Sequence, residues 1–161
     1  MKKYMPTEFS KEVTFLMESN DIEGVHDWDS FVQAMRAWVY LQKQKEMTSK
    51  VVLEAHKILM KNQDIEKSLK GHYRRQPVWV GGREGVNWMF IPAAMEVWCM
   101  NCWLFPKQWK AHHIRFEKIH PFIDGNGRMG RMLMNWERAK SGLPVKIIWE
   151  AKKGKYYEWF K

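Results

Sequence analysis

His120-Pro121-Phe122-Ile123-Asp124-Gly125-Asn126-Gly127-Arg128-Met129-Gly130-Arg131 is the stretch of this chain densest in chemistry. Two glycines one residue apart lead into a segment of helical periodicity that begins near Asn126 and stops at Gly142 and Pro144. Backbone N–H groups of such a loop converge on an anion, and the helix N-terminus adds partial positive charge at the same place. Arg128 and Arg131 are three apart, so they share a face of the first turns, and their planar forks suit phosphate oxygens. Asp124 offers the hard carboxylate that Mg²⁺ on a polyphosphate requires. His120 is the one side chain here that takes a proton near neutral pH.

Together these parts describe phosphoryl or nucleotidyl transfer: a nest for phosphates, cations to offset charge and a base for an incoming hydroxyl. A Walker A loop is excluded, since no Gly-Lys-Ser/Thr follows the glycines. The alternative is a glycine-rich turn capped by Asn126 with arginines on a solvated face. His-Pro-Phe-x-Asp-Gly-Asn-Gly-Arg-x-x-Arg resembles the signature of Fic-domain proteins at every fixed position. The likeness extends to His113-x-x-Phe116-Glu117-x-Ile119 upstream, and to Gly71-x-Tyr73-Arg74 and Val78-Trp79-Val80-Gly81-Gly82 further back.

The resemblance implies an all-α Fic fold, a helical bundle with one short β-hairpin flap, and transfer of AMP from ATP to a protein hydroxyl. On that likeness His120 is the base for a target Ser, Thr or Tyr, and Asp124 holds Mg²⁺ on the α- and β-phosphates. The Gly125-Asn126-Gly127 backbone forms the anion hole, and Arg128 and Arg131 take the β- and γ-phosphates. The flap, about 77–91 with Val78, Trp79 and Val80, pairs with an extended piece of an unidentified target protein. Tyr156-Tyr157 resembles the route to the nucleoside pocket, with Tyr157 to stack on the base; the alternative is two aromatics packing a terminal element. The chain stops at Lys161, short of the helix with which longer relatives enclose the base, so a donor other than ATP stays open.

Near the other end, Ser19-Asn20-Asp21-Ile22-Glu23-Gly24 resembles the family's inhibitory motif. It implies that Ser19 and Glu23 act on Arg131, where a carboxylate takes the place of the γ-phosphate. Some members also use this glutamate to remove AMP, which the sequence leaves open. The same residues read equally as a helix C-terminus with Gly24 in the left-handed cap.

Elsewhere helical periodicity dominates. Helices are expected over 8–19, within an inhibitory segment of about 8–24, and over 29–44, with Asp29 or Ser30 as N-cap and Phe31, Met35, Trp38 and Leu41 inward. Thr48 or Ser49 caps the next, with Val51, Val52, Ala55, Ile58 and Leu59 as its stripe. Ala93–Trp103, with Pro92 at its start, and Lys107–Ile119 come next, and then a signature loop and helix over 120–140. Pro77–Val80 and Trp88–Ile91 read as two strands around Gly81–Gly85. With 161 residues and no linker or repeat, one domain over 1–161 is expected.

Composition sets the outer bounds. The chain is 45% hydrophobic with ten Trp and twelve Met, which excludes whole-chain disorder. Its formal charge of +9 attracts phosphates of any origin. No apolar signal core follows Met1–Pro6, and Met89–Phe105 is interrupted and too short to span a bilayer, so a cytoplasmic protein without membrane contact is expected. Cys99-x-x-Cys102 lacks the second pair of a structural Zn²⁺ site, and both are expected in the core. His112 is expected at the surface and His113 as a supporting residue, neither as a metal ligand. Lys67, Lys70, Arg74 and Arg75, with Lys152, Lys153 and Lys155, read as solvated faces. Their functional alternative is a basic nucleic-acid-binding module with an idle Fic site. Intact His120, Asp124, Asn126 and both arginines speak against it. The oligomeric state is left open.

Overall fold

The computed structural model describes residues 8–161, with side chains from residue 11 onward. Residues 1–7 of the expected single domain, including the start read for a leader, lie outside the described residues. The architecture is all-α with one small hairpin. Its helices are α1 (Glu8–Ile22), α2 (Trp28–Gln42), α3 (Ser49–Leu59), α4 (Ile91–Leu104), α5 (Trp109–Ile119), α6 (Asn126–Lys140) and α7 (Lys153–Tyr157). No helix among the described residues is long and apolar enough to cross a membrane.

α6 organises the bundle. It packs against α1, α2, α3 and α5, and every residue from Arg128 to Glu137 is buried. A helix enclosed on all sides needs partners for its polar groups, and here they form the site and a second polar cluster. The core around α6 takes Phe15 and Leu16 from α1, Trp38 and Leu41 from α2, Val52 and Leu59 from α3, Met95 and Trp98 from α4 and Phe116 from α5. On α2 Ala34 and Ala37 are buried with Trp38 and Leu41, while the expected Phe31 and Met35 are half-buried at its margin.

Local signals set most helix ends. Thr48 caps α3 through Val51 N–H, as expected. The cap of α2 is Asp27 rather than Asp29 or Ser30: its extended backbone lets its carboxylate accept from Ser30 N–H at 2.7 Å. α1 runs one turn past Ser19 to Ile22, and Gly24 then turns the chain with φ 68°. Gly142, at φ 72°, follows α6 in the same way.

The hairpin differs most from expectation. Its strands are β1 (Trp79–Val80) and β2 (Arg83–Glu84), antiparallel, with Trp79 opposite Glu84 and Val80 opposite Arg83. Gly81 and Gly82 both have positive φ (56° and 78°), so the turn is two residues long and the return strand must start at Arg83. Trp88–Phe90 is instead a 3-10 turn, begun by Met89 N–H on the Asn87 side chain, which runs directly into α4. The flap is therefore shorter than 77–91.

Arg74 fastens this hairpin. The sequence reading puts it on a solvated face, but it is buried, and its guanidinium donates to four backbone carbonyls. Nη1 reaches Gln76 O and Nη2 reaches Val86 O, one on each side of the hairpin. Nε and Nη2 reach His120 O and Ile119 O at the end of α5. A cation at a helix C-terminus is favoured, and this one also fills carbonyls that α5 leaves open. Arg74→Met keeps the apolar stem but orphans these acceptors. We expect a loss of about 3 kcal/mol in urea unfolding; a change within about 0.5 kcal/mol would contradict the role.

Candidate active site

The site begins where α5 stops. His120 caps that helix in the left-handed region (φ 49°, ψ 64°), the one non-glycine residue with positive φ among the described residues. Such a backbone is costly and must be held, and Arg74 holds it through the carbonyls on either side of the His120 N–H. The reversal at His120 carries the chain back as a loop to the start of α6. Asn126 closes that loop. Its Oδ1 accepts Phe122 N–H and its Nδ2 donates to Phe122 O, both at 2.9 Å.

His56 on α3 supports the loop from below, and the sequence reading missed it among the apolar residues of its helix. Gly71 N–H donates to His56 Nδ1 at 2.9 Å, so the ring proton is on Nε2, which donates to Asp124 O at 2.9 Å. The ring stacks on Phe122 at 3.7 Å, and burial pushes its pKa down to about 4. His56 is thus a neutral strut between two backbone groups. Gly125, at φ 82°, lies so close to Met60 that a Cβ there would overlap its sulfur.

The predicted site residues divide by direction. His120, Gly127, Arg131, Glu23, Val80 and Tyr157 line one cleft of 890 Å³ beneath the hairpin. Ser19 is buried behind Arg131. Asn126 is spent inside the loop. Asp124 is exposed, one carboxylate oxygen taking Gly125 N–H at 2.6 Å. Arg128 points to α3 and the turn beyond its end, donating to Gln63 Oε1 at 3.1 Å, while its Nε and Nη1 are buried with no acceptor in the protein. Val78 is half-buried and Trp79 is exposed; neither lines the cleft.

Arg131 is the centre of charge. Its Nε donates to Ser19 Oγ and its Nη2 to Ser19 O, both at 2.9 Å, and Nη2 also meets Glu23 Oε1 at 2.7 Å. Burial works against its charge, but Tyr156 and Glu23 more than restore it. The Glu23 carboxylate lies against Gly127, where any Cβ would collide with it. This carboxylate is itself an anion in the cradle. With the unpaired donors of Arg128 and the exposed carboxylate of Asp124, the residues present fit a polyphosphate carrying a divalent cation.

His120 has the geometry of a base. Its Nδ1 lies 3.3 Å from Glu117 O, an acceptor only, so Nδ1 carries the proton and Nε2 keeps a lone pair. Burial, and then the Arg74 charge, lower its pKa, so the ring is neutral at pH 7. A second group here has no assigned role in the sequence reading. Glu117 is half-buried on the cleft wall, with Oε2 3.9 Å from His120 Nδ1 and a buried Oε1 without a partner. Burial pushes its pKa up to about 7, Arg131 opposing and Glu23 adding. His113 is the expected supporting residue: Nε2 meets Tyr156 Oη at 2.8 Å, and burial pushes its pKa down to about 3.

A bundle of this form around a His-to-Arg signature loop defines a class. The Fic/DOC family pattern matches residues 46–137, more than half of the chain, and the chain belongs to that family. Protein adenylyltransferase Fic of Drosophila erecta is 30% identical over 167 residues, covering 99% of this chain and 32% of that protein. The Drosophila persimilis protein of the same name is 29% identical with the same coverage. The chain thus spans about a third of the length of these curated relatives. Among solved structures, a Fic domain containing signaling protein from Bacteroides thetaiotaomicron aligns with a TM-score of 0.79 at 21% identity, over 94% of this chain and 71% of that one. A Fic family protein from Desulfovibrio desulfuricans G20 gives 0.74 at 21% identity, over 94% and 56%. At such identity the solved structures speak for the fold.

Glu117 makes stability depend on pH. Between its ordinary value of 4.5 and about 7 the native state keeps a proton that the unfolded chain has lost. Stability is therefore greatest, as far as this group is concerned, below 4.5, and by pH 7 has fallen by about 3 kcal/mol. Glu117→Gln carries no such penalty. Its melting-temperature advantage over wild type should be larger at about pH 8 than at about pH 5; an advantage equal at both would contradict the buried carboxyl.

Proposed function

We propose that this domain is a self-inhibited protein adenylyltransferase, which transfers AMP from ATP to a Ser, Thr or Tyr hydroxyl of a target protein. The observation that carries this reading is the Glu23 carboxylate paired with Arg131 and lying over Gly127, an anion in a cradle within the cleft that His120 also lines.

In the proposed reaction His120 Nε2 takes the proton of the target hydroxyl as that oxygen attacks the α-phosphorus. Pyrophosphate leaves in line, and His120 then gives its proton to solvent. The Gly125-Asn126-Gly127 backbone and the start of α6 face the phosphates, and the left-handed turn at His120 aims the imidazole at the same place. Arg131 takes the γ-phosphate once Glu23 has left it, and Arg128 offers its unpaired Nε and Nη1 to the β-phosphate. Asp124 would hold Mg²⁺, which would supply charge neutralisation to the phosphates. Tyr157, half-exposed on the cleft wall, stacks on the base.

The hairpin serves the target. Each of its two short strands has one free edge, and an extended segment of the target adds to that edge by main-chain hydrogen bonds, with Val78, Trp79 and Val80 beside it. Main-chain pairing selects for extended shape more than for sequence.

Inhibition follows from one guanidinium serving two anions. While Glu23 holds Arg131, ATP lacks its γ-phosphate contact and its α-phosphate is displaced from the in-line position. Glu23→Gly is expected to raise AMP transfer about tenfold or more, a change of at least about 1.4 kcal/mol in the barrier. Ser19→Ala should give a smaller rise, and adding His120→Ala to Glu23→Gly should abolish transfer. Mass spectrometry of lysate proteins incubated with ATP and Mg²⁺ reads all three. Equal labelling by wild type and Glu23→Gly would overturn inhibition, and labelling that survives His120→Ala would overturn the base.

A further inference from the structure

Among the described residues, the signature loop, the hairpin and Glu23 leave a buried polar cluster unused. Cys102 near the end of α4, His112 on the first turn of α5 and Glu137 near the end of α6 meet at the junction of three helices. A sulfur, an imidazole nitrogen and a carboxylate oxygen there all lie within 4.8 Å of one another. All three residues are buried, including His112, which the sequence reading puts at the surface. None lines the cleft, and Glu137 is roughly 16 Å along α6 from the signature loop.

The cluster is incompletely satisfied as it stands. His112 Nδ1 and Glu137 Oε2 are 2.5 Å apart, but Glu137 Oε1 is buried with no hydrogen-bond partner. The Cys102 thiol beside it is a weak donor, and the carboxylate is only 2% exposed. Burial raises the pKa of both Glu137 and Cys102, which records how poorly this pocket holds negative charge unaided. The scaffold is nonetheless built: Trp98 Nε1 donates to His112 O at 2.8 Å and fixes the backbone that presents the imidazole. Cys99, one turn earlier on α4, faces Ser49 and stays outside the cluster.

We propose that Cys102, His112 and Glu137 form a binding site for one Zn²⁺ ion that ties α4, α5 and α6 together. Thiolate, imidazole and carboxylate are each zinc ligands, whereas Mg²⁺ and Ca²⁺ favour oxygen alone and Cu(I) favours sulfur. On binding, Cys102 releases its proton to solvent. The proton shared between His112 Nδ1 and Glu137 Oε2 is likewise released to solvent; His112 coordinates through Nδ1 with Nε2 protonated, and the His112–Glu137 contact opens to admit the ion. Two anionic ligands, one neutral ligand and a divalent cation sum to zero charge, which removes the cost of the bare carboxylate. A water would have to complete the tetrahedral set.

The site is independent of the proposed transferase reading and is tested on the full chain without any activity. EDTA-treated, desalted protein is titrated with Zn²⁺ against a chromophoric chelator and, separately, loaded with Co²⁺. Wild type should bind one Zn²⁺ per chain, melt at higher temperature with it, and show a sulfur-to-cobalt charge-transfer band. Cys102→Ser should lose that band and bind Zn²⁺ at least about tenfold more weakly, and Glu137→Gln should bind equally weakly. Should Glu137→Gln fail to fold, Cys102→Ser, a near-isosteric change checked by circular dichroism in EDTA, decides alone. No Zn²⁺ retained by wild type, or an affinity and cobalt spectrum unchanged in Cys102→Ser, would overturn the site.

Discussion

A guanidinium buried in the centre of a helical bundle needs an anion, and Arg131 is that constraint here. It sits on α6, 2% exposed, and Ser19 and Glu23 from α1 and its C-terminal turn supply its acceptors. Taking the anion away would leave an uncompensated buried charge, among the costliest defects a fold can carry. The cleft is therefore a place where one anion is always required and the identity of that anion is negotiable. In the proposed function Glu23 is the replaceable one: its side chain is 39% exposed, so water could take it if a better-charged competitor arrived. On the proposed function, catalysis and its inhibition are two occupancies of one guanidinium rather than two devices.

The underlayer of the cleft follows from the same constraint. Gly130 has no side chain, and a Cβ there would strike Glu117 Oε1 and crowd His113. That small gap on α6 lets a carboxyl and an imidazole lie beneath Arg131, with Tyr156 from α7 closing the layer through His113. Glu117 titrates at about pH 7 and His113 stays neutral, so near neutrality Glu117 offsets Arg131 only in part and His113 not at all. The full counter-charge has to come from the cleft side, which is where Glu23 approaches.

Where the chain announces its chemistry, local geometry and sequence agree. The loop from His120 to Arg131 is legible because glycines, a helix start and charged groups lie within twelve consecutive residues. Ser19 and Glu23, singled out by their resemblance to a family motif, do meet on Arg131, and Gly24 and Gly142 do end their helices. What escapes is tertiary. Arg74 stands among Lys67, Lys70 and Arg75 and reads as solvated surface, because nothing local says that four carbonyls from two distant segments will surround it. His56 is lost in the apolar stripe of α3, since its partners Gly71 and Asp124 are 15 and 68 residues away. His112 likewise depends on Glu137, 25 residues on. The hairpin boundary failed for a narrower reason: alternation suggested a return strand at Trp88, while the positive φ of both Gly81 and Gly82 forced it back to Arg83.

The excess of positive charge takes on a different meaning once burial is known. Of the formal +9, the part that matters locally comes from Arg74, Arg128 and Arg131, all buried near the signature loop. Fields from charges with low-dielectric surroundings are screened far less than those of surface lysines. Arg74 spends its donors on carbonyls, which satisfy hydrogen bonding but carry no net charge, so its field still reaches His120 and helps keep the imidazole neutral. Arg128 has two donors unspent and Arg131 has a carboxylate it can exchange. On the proposed function, a fixed cation that holds the backbone, one beside the loop with open donors and one with a replaceable partner suit an anion with several charges. On that reading a single carboxylate satisfies only Arg131, whereas a polyphosphate whose binding turned Arg128 from Gln63 toward the cleft would satisfy both, and that difference is the physical basis on which it would displace Glu23.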